Sequence, residues 1–446
     1  MNLKWVMAMM EVKLKDNVFA GKNKFEGISR LTQKIADKTL EQLEKDGIFV
    51  FPKTIKDADD ITKEQMILQS FNNSYRTSNV MGFLGCGKER LIITSRFSSD
   101  NNDYFFQYLL ERVLEFPNIL DLQTNADQDV RLFNLLLFLF PRYLKSAMRK
   151  GLFKTYVRNY YNDSSIKGTI DVARHIRKNI PFIGNIAYNQ REFSYDNYLM
   201  ELIRHTIEFI RTKSYGNKLL RSVKDEVSAI IGATINYEYY NRRKTILLNK
   251  NTPLRHAYYN EYRELQRLCI MILQHEKHQM GTGEQQVYGI LFDGAWLWEE
   301  YVNSLIGELF YHPMNKSGKG AQRLFAGKIG LIYPDFISRN SENRMIADAK
   351  YKPISNIGNK DYLQLLAYMF RFEAKKGFYL YPESYSVDNL ELQLNRGVSY
   401  ENNVMGREDI LLVKCGFRIP NDAVNYDQFK KHIGDNEQTF RKQFYG

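Results

Sequence analysis

Residues 331–352, LIYPDFISRNSENRMIADAKYK, form two short apolar runs on either side of a polar turn. Asp335 interrupts the first run and Asp348 the second, where a core strand favours valine and leucine, and Lys350 follows two residues later. No other stretch constrains the fold as much. RNSENR at 339–344 reads as a turn, so residues 345–352 return beside 328–338 as the second arm of a hairpin. Strand side chains alternate with a period of two, which places Asp348 and Lys350 on one face. A hairpin of this length brings Asp335 close to both. Pro334 cannot donate to a strand ladder and suits an edge or a bulge. Two carboxylates held together repel unless a cation or a proton lies between them. Oxygen ligands of this kind suit Mg²⁺ or Mn²⁺. An adjacent lysine can orient a water or stabilise charge on a phosphate.

The triplet alone says little, because Glu11-Val12-Lys13 and Glu373-Ala374-Lys375 occur in the same chain. The second falls in a predicted helix, where positions i and i+2 point apart, and the first has no acid-bearing strand before it. Taken singly, Asp335 can cap a turn beside Pro334, and Asp348 with Lys350 can be a surface strand pair. Only Asp348-Ala349-Lys350 combines a strand, a partner acid one arm earlier and flanking helices.

The chain of 446 residues is long enough for two or three domains. A hydrophobic content of 44%, with 14% aromatic residues, supplies sizeable cores and excludes a disordered chain. Lys and Arg total 63 against 51 Asp and Glu, a net charge of +12, which favours a polyanionic partner and nucleic acid first. Cys86, Cys269 and Cys415 lie far apart without CxxC spacing, which argues against a zinc site or disulfide framework and fits a reducing cytoplasm. The apolar patch near the N-terminus is interrupted by Glu11, too soon for a secretory signal. LFNLLLFLF at 132–140, cut by Arg131 and Pro141, is too short to span a bilayer and reads as a buried helix. The expectation is a cytoplasmic protein with no membrane contact.

Residues 1–105 mix strand-like runs at 48–51 and 91–95 with a helix-like segment at 31–45, an α+β region. ADDITKEQ at 58–65 reads as a loop leading into a capped helix. Residues 106–285 are mainly helical in spacing, over 104–149 and again from 197 to 203. Between these, 149–179 is dense in Lys, Arg and Tyr, which reads first as a solvated helix face plus a loop and second as a phosphate-tracking surface. Past residue 285 the pattern becomes a helix at 295–310, a Gly/Lys-rich loop, the hairpin, a helix at 362–374, a strand at 377–381 and a later strand at 409–414. That alternation predicts an α/β domain over 286–446. His205, His256 and His312 sit in aromatic or apolar contexts, while His275 and His278 mark an exposed helix end, and none has metal-ligand spacing. Gly85-Cys86-Gly87-Lys88 runs into Glu89 and lacks the upstream glycine of a phosphate loop, so it reads as a hairpin turn and the chain itself binds no nucleotide.

Pro334-Asp335 followed by Asp348-Ala349-Lys350 resembles the PD-(D/E)xK nuclease motif. Downstream, Gln364 and Tyr368 stand four apart on one helix face, similar to the QxxxY motif of RecB-like members. Upstream, Leu297-Trp298-Glu299-Glu300-Tyr301-Val302 resembles the LFExYV helix, with Glu299 at the family acid and Glu300 at a variable position. The combination looks most like the McrC family, the nuclease subunits of McrBC-type and LlaJI-like restriction systems. Looser similarity extends to Gly82-Phe83-Leu84, to the run 91–97, to Arg149-Lys150-Gly151-Leu152 and to the run 166–171. The resemblance implies a C-terminal PD-(D/E)xK restriction-endonuclease-like core in which Asp335, Asp348 and Lys350 are catalytic. Glu299, Gln364 and Tyr368 would support that site. Mg²⁺, or Mn²⁺, would be held by Asp335, Asp348 and the Ala349 carbonyl, with Glu299 as a further candidate ligand. It also implies double-stranded DNA as substrate and a separate McrB-like AAA+ GTPase hexamer, met through the N-terminal region and stimulated by this chain. Arg76 and Arg96 are exposed-looking candidates for reaching that partner's nucleotide. Two rivals remain: a stand-alone RecB-like repair or junction nuclease, and a non-catalytic adaptor. The intact acid-acid-lysine set argues against the adaptor.

Overall fold

A computed structural model describes residues 10–46, 48–51, 65–99, 103–113, 128–279, 287–313, 321–385, 389–396 and 405–444. Most of the 58–65 segment and the side chains of His275 and His278 lie outside the described residues. The chain forms two compact units, one built from Met1–Leu120 together with Gln285–Gly446 and the other from Asp121–Glu284.

The first unit contains a five-stranded sheet in the order Met10–Lys15, Glu89–Thr94, Val80–Cys86, Val287–Asp293, Phe49–Phe51. Val287–Asp293 pairs antiparallel with Val80–Cys86 and parallel with Phe49–Phe51, and all its residues are buried. N-terminal and C-terminal segments thus share one sheet, where the sequence reading separated 1–105 from 286–446. The cause is physical: VYGILFD is apolar on both faces, as a central strand must be. Helix Tyr104–Val113 likewise crosses the expected boundary at 105 and packs on helix Gly294–Ile306 through Phe105 against Trp298 and Tyr108 against Tyr301. The expected helix at 31–45 is two, Ser29–Ile35 and Leu40–Lys45, separated where Asp37 adopts a φ of 57° and accepts the Ser70 N–H. Thr39 then caps the second helix through the Gln42 N–H. The Gly85–Lys88 stretch turns between the paired strands Val80–Cys86 and Glu89–Thr94, the hairpin expected of it.

The same unit holds a six-stranded mixed sheet in the order Phe310–Tyr311, Phe336–Ser338, Met345–Ala349, Lys376–Glu383, Met405–Arg418, Leu390–Arg396. Met345–Ala349, Lys376–Glu383 and Met405–Arg418 run parallel, and helix Asn359–Arg371 makes the crossover between the first two. That helix buries Leu365, Tyr368 and Met369 against Ile346, Tyr379, Tyr381 and Leu412. Gly377 permits the close approach, since a Cβ there would lie 2.5 Å from Met369 Sδ. The opposite face carries Phe378 and Phe417, which pack on Phe444, Trp298, Tyr301 and Phe440. The expected strand at 328–338 is two short strands in different sheets, Leu331–Ile332 and Phe336–Ser338. The break falls around Pro334, which offers no N–H to continue a ladder.

The second unit contains helices Gln128–Met148, Tyr198–Arg211, Lys224–Ala233, Arg242–Asn251 and Asn260–Gln279. The first continues through Pro141 and does not stop there. A proline inside a helix costs about 3 kcal/mol, which burial of Leu136, Leu137, Leu139, Phe140 and Leu144 is large enough to offset. The basic, tyrosine-rich segment 149–179 holds the expected solvated helix, Val172–Lys178, with no buried residue, and also a strand that was not expected, Thr155–Asp163, paired antiparallel with Ile186–Ser194. The strand's alternating burial is that of a sheet with one exposed face. Among the described residues no helix is long and apolar enough to cross a membrane.

Candidate active site

The pairing of Phe336 with Ala347 and Ile337 with Ile346 puts Asp335 at the next position, opposite Asp348. The turn that sets this register is built by Asn340, whose Oδ1 accepts the Glu342 and Asn343 N–H groups, and by Ser338, which accepts the Met345 N–H. Asp335 Oδ2 accepts the Ala349 N–H at 2.9 Å, so the two acidic segments are fixed by backbone as well as by register. Lys350 N–H donates to the Leu380 carbonyl and carries the strand geometry one step past Ala349.

Asp348 is 2% exposed, and its Oδ2 lies 2.6 Å from Lys350 Nζ. The contact is a buried, charge-assisted ion pair. Burial opposes the charge on Lys350, yet Asp348, Asp335 and Asp361 together lift its pKa above the ordinary lysine value. Among these acids the ammonium is a donor and a counter-charge. It also donates to Gln364 Oε1 at 3.4 Å, and Gln364 Nε2 donates to the Tyr368 hydroxyl at 2.8 Å. The i, i+4 spacing on helix Asn359–Arg371 thus becomes a relay that ends on the lysine.

A cleft of about 800 Å³ is lined by Glu299, Asp335, Asp348, Lys350, Gln364 and Tyr368, all six singled out from the sequence. Glu300 does not line it. Glu299 enters from helix Gly294–Ile306, whose first turn is capped by Asp293 through the Ala295 N–H. Among the described residues no three His, Cys, Asp or Glu side chains stand close enough to make a metal cage. Asp335 and Asp348 with the Ala349 carbonyl make a smaller oxygen set. Mg²⁺ fits such a set because it keeps several waters and uses one or two carboxylates.

Sequence reasoning passed over four neighbours. Lys352 donates to both oxygens of Asp361 at 2.8 and 2.7 Å, and Asp361 accepts the Gly358 N–H at the helix start. Burial works against ionising Asp361, but Lys352, the Gly358 N–H and Lys350 lower its pKa on balance. The alternation 348, 350, 352 was a readable signal for Lys352. His312 had none: its Nδ1–H donates to the Asp335 carbonyl, its ring stacks on Phe336, and its Nε2 lies 3.7 Å from Glu299 and from Glu300. Tyr351 hydrogen-bonds Ser95 at 2.7 Å and is covered by the Arg96 guanidinium at 5.0 Å. Arg96, expected to be exposed, is bound by Nε and Nη2 to the fully buried Asp16.

A family model described as McrBC 5-methylcytosine restriction system component matches residues 75–382, which include the hairpin, Glu299, Gln364 and Tyr368. The chain belongs to this family. Among solved structures, a chain from a refined half-complex of the tetradecameric assembly of Thermococcus gammatolerans McrB AAA+ hexamers with bound McrC is similar at 16% identity. That alignment covers 96% of this chain and 100% of that one, with a TM-score of 0.48. A chain of the McrBC complex of the same organism, determined by cryo-electron microscopy, is 15% identical over 67% of this chain and 87% of that one, with a TM-score of 0.31. No curated protein matches the chain.

Proposed function

We propose that this McrBC-family chain is the McrC-type nuclease subunit, a DNA endonuclease with a PD-(D/E)xK core that works with a separate McrB-like AAA+ GTPase and stimulates it. The observation that supports this reading most is Asp348 opposite Asp335 with Lys350 at 2.6 Å, at one cleft with Glu299, Gln364 and Tyr368. A structural ion pair needs no second acid across the hairpin and no glutamine–tyrosine relay behind the lysine.

Asp335, Asp348 and the Ala349 carbonyl would hold Mg²⁺ or Mn²⁺, with Glu299 at the edge of the set. When bound, the ion supplies Lewis acidity at the scissile phosphate and lowers the pKa of an attacking water. Lys350, 2.6 Å from Asp348, orients that water and offsets the charge that grows on the phosphate oxygens. Gln364 and Tyr368 hold the ammonium on the side facing Asp348. The bond that breaks is between phosphorus and the 3′ oxygen.

Plasmid cleavage is the test, with Mg²⁺, with and without the AAA+ partner and GTP, beside Asp348→Ala. The reading expects cleavage only in the complete mixture and its loss in the variant. Cleavage by the chain alone would favour the stand-alone nuclease. Retained cleavage by Asp348→Ala would remove the assigned site.

A further inference from the structure

We propose that the N-terminal region supplies a phosphate track, so that the strand of DNA next to the scissile group is held by Arg96, Asn17 and Asn79 at the strand ends of the five-stranded sheet and by Arg76 on strand Ser74–Thr77 of a separate three-stranded sheet. The inference rests on the nuclease reading of the cleft and gives the N-terminal region a substrate-binding role besides partner docking.

Three strand ends converge on the cleft beside the catalytic hairpin. Asp16 and Asn17 follow Met10–Lys15, Ser78 and Asn79 precede Val80–Cys86, and Ser95 and Arg96 follow Glu89–Thr94. Asp16 is fully buried and takes the Arg96 N–H, Nε and Nη2, while Arg96 Nη2 also donates to Asn79 Oδ1. The acid is therefore beneath the surface and does not line the cleft, whereas the guanidinium and the asparagine do. Asn17 adopts a left-handed φ of 53° and accepts from Arg76 Nη2 at 2.9 Å. Asparagine tolerates that backbone better than most residues. The Arg76 guanidinium in turn lies over the Phe19 ring at 5.4 Å, which fixes an exposed cation in one place.

Asn17 and Asn79 also line a second cavity of about 340 Å³ with Arg76, Gln65 and Gln69. The two cavities thus share a wall, and no carboxylate lines the second. In the first, every lining acid belongs to the hairpin or to its flanking helices, and none to the N-terminal sheet. A polynucleotide carries one negative charge per nucleotide, so the strand leaving an acid-lined catalytic centre needs an acid-free path with donors along it. Arginine and side-chain amides are the groups that contact phosphates without reading bases. The path meets that requirement.

The test is equilibrium binding of fluorescein-labelled duplex DNA to the full chain carrying Asp348→Ala, with and without Arg76→Ala or the pair Arg76→Ala and Gln69→Ala. Arg76 and Gln69 are exposed, and a thermal midpoint measured for each variant checks that it folds. The proposal expects Arg76→Ala to weaken binding about five- to tenfold at low salt, irrespective of sequence, and to lower the slope of log K against log salt by about one. Unchanged affinity and slope in both variants would overturn it, as would an Asp348→Ala chain that binds no DNA. Unchanged DNA binding with lost stimulation of the AAA+ GTPase would overturn it in favour of a protein contact. The nuclease reading fails separately, through cleavage that survives Asp348→Ala in the complete mixture.

Discussion

Lys350 sits among Asp335, Asp348 and Asp361, and removing its charge leaves three acids with one fewer counter-charge. Lys350→Met is therefore expected to cut the single-turnover rate by about 100-fold or more and to weaken DNA binding, read by fluorescence anisotropy. Tyr368→Phe tests the relay at lower stakes. It removes the hydroxyl that receives the Gln364 amide, so the expected loss is about 1 kcal/mol, or five- to tenfold in rate, with Km little changed. A rate equal to that of the wild type would show that Gln364 is held by packing alone. At this scale the sequence was informative where chemistry breaks a pattern. An aspartate in each apolar run and a glutamine–tyrosine pair at helical spacing are anomalies that can be read without coordinates. His312 and Arg96 break no pattern. Arg96 finds Asp16 across eighty positions of sequence, and such a pairing has no local signature.

Between residue and fold stands the contact of helix Gly294–Ile306 with Tyr351. A Cβ on Gly294 would lie 2.6 Å from the Tyr351 ring, which Ser95, Phe97 and Arg96 already hold in place. Gly294→Ala is expected to destabilise the first unit by about 1–3 kcal/mol and to lower cleavage, since Tyr351 follows Lys350 directly. A denaturant titration beside the cleavage rate checks both. In the second unit, helix Tyr198–Arg211 buries His205 against Tyr237. Burial, with Arg242 and Arg204 nearby, lowers its pKa from 6.5 to about 4. The unfolded chain then binds a proton that the folded chain refuses, so stability present above pH 6.5 falls as pH drops towards 4. The loss approaches about 3 kcal/mol. His205→Phe should flatten that dependence in urea titrations across this window; an unchanged pH profile would remove His205 as its source. Elements of regular period were legible: the hairpin, the helix carrying Gln364 and the helix carrying Glu299. The strand Thr155–Asp163 was obscured because its exposed face is basic and aromatic, a composition that helix surfaces share.

For the molecule as a whole, the shared sheet decides what can be separated. Residues 286–446 look self-sufficient in sequence because they carry the alternation of an α/β domain. The strand Val287–Asp293 nevertheless finds both its neighbours, Val80–Cys86 and Phe49–Phe51, in the N-terminal region. A fragment of 286–446 is expected to aggregate or bind hydrophobic dyes, because that strand loses both hydrogen-bonded edges and the burial of its side chains. Sedimentation of fragment and full chain side by side checks this; a monodisperse, folded fragment would contradict it. Local periodicity does not report such long-range pairing, which is why the division by composition and the division by packing differ. The central claim is that the acid pair and its lysine are the centre of a metal-dependent nuclease. The most direct measurement is the single-turnover rate of DNA cleavage by the complete complex carrying Asp335→Asn or Asp348→Asn, each isosteric and each paired with a thermal midpoint. The account expects a fall of about 1,000-fold or more for each, with the midpoint and the stimulation of GTP hydrolysis retained. Cleavage within tenfold of the wild type in either variant would contradict it.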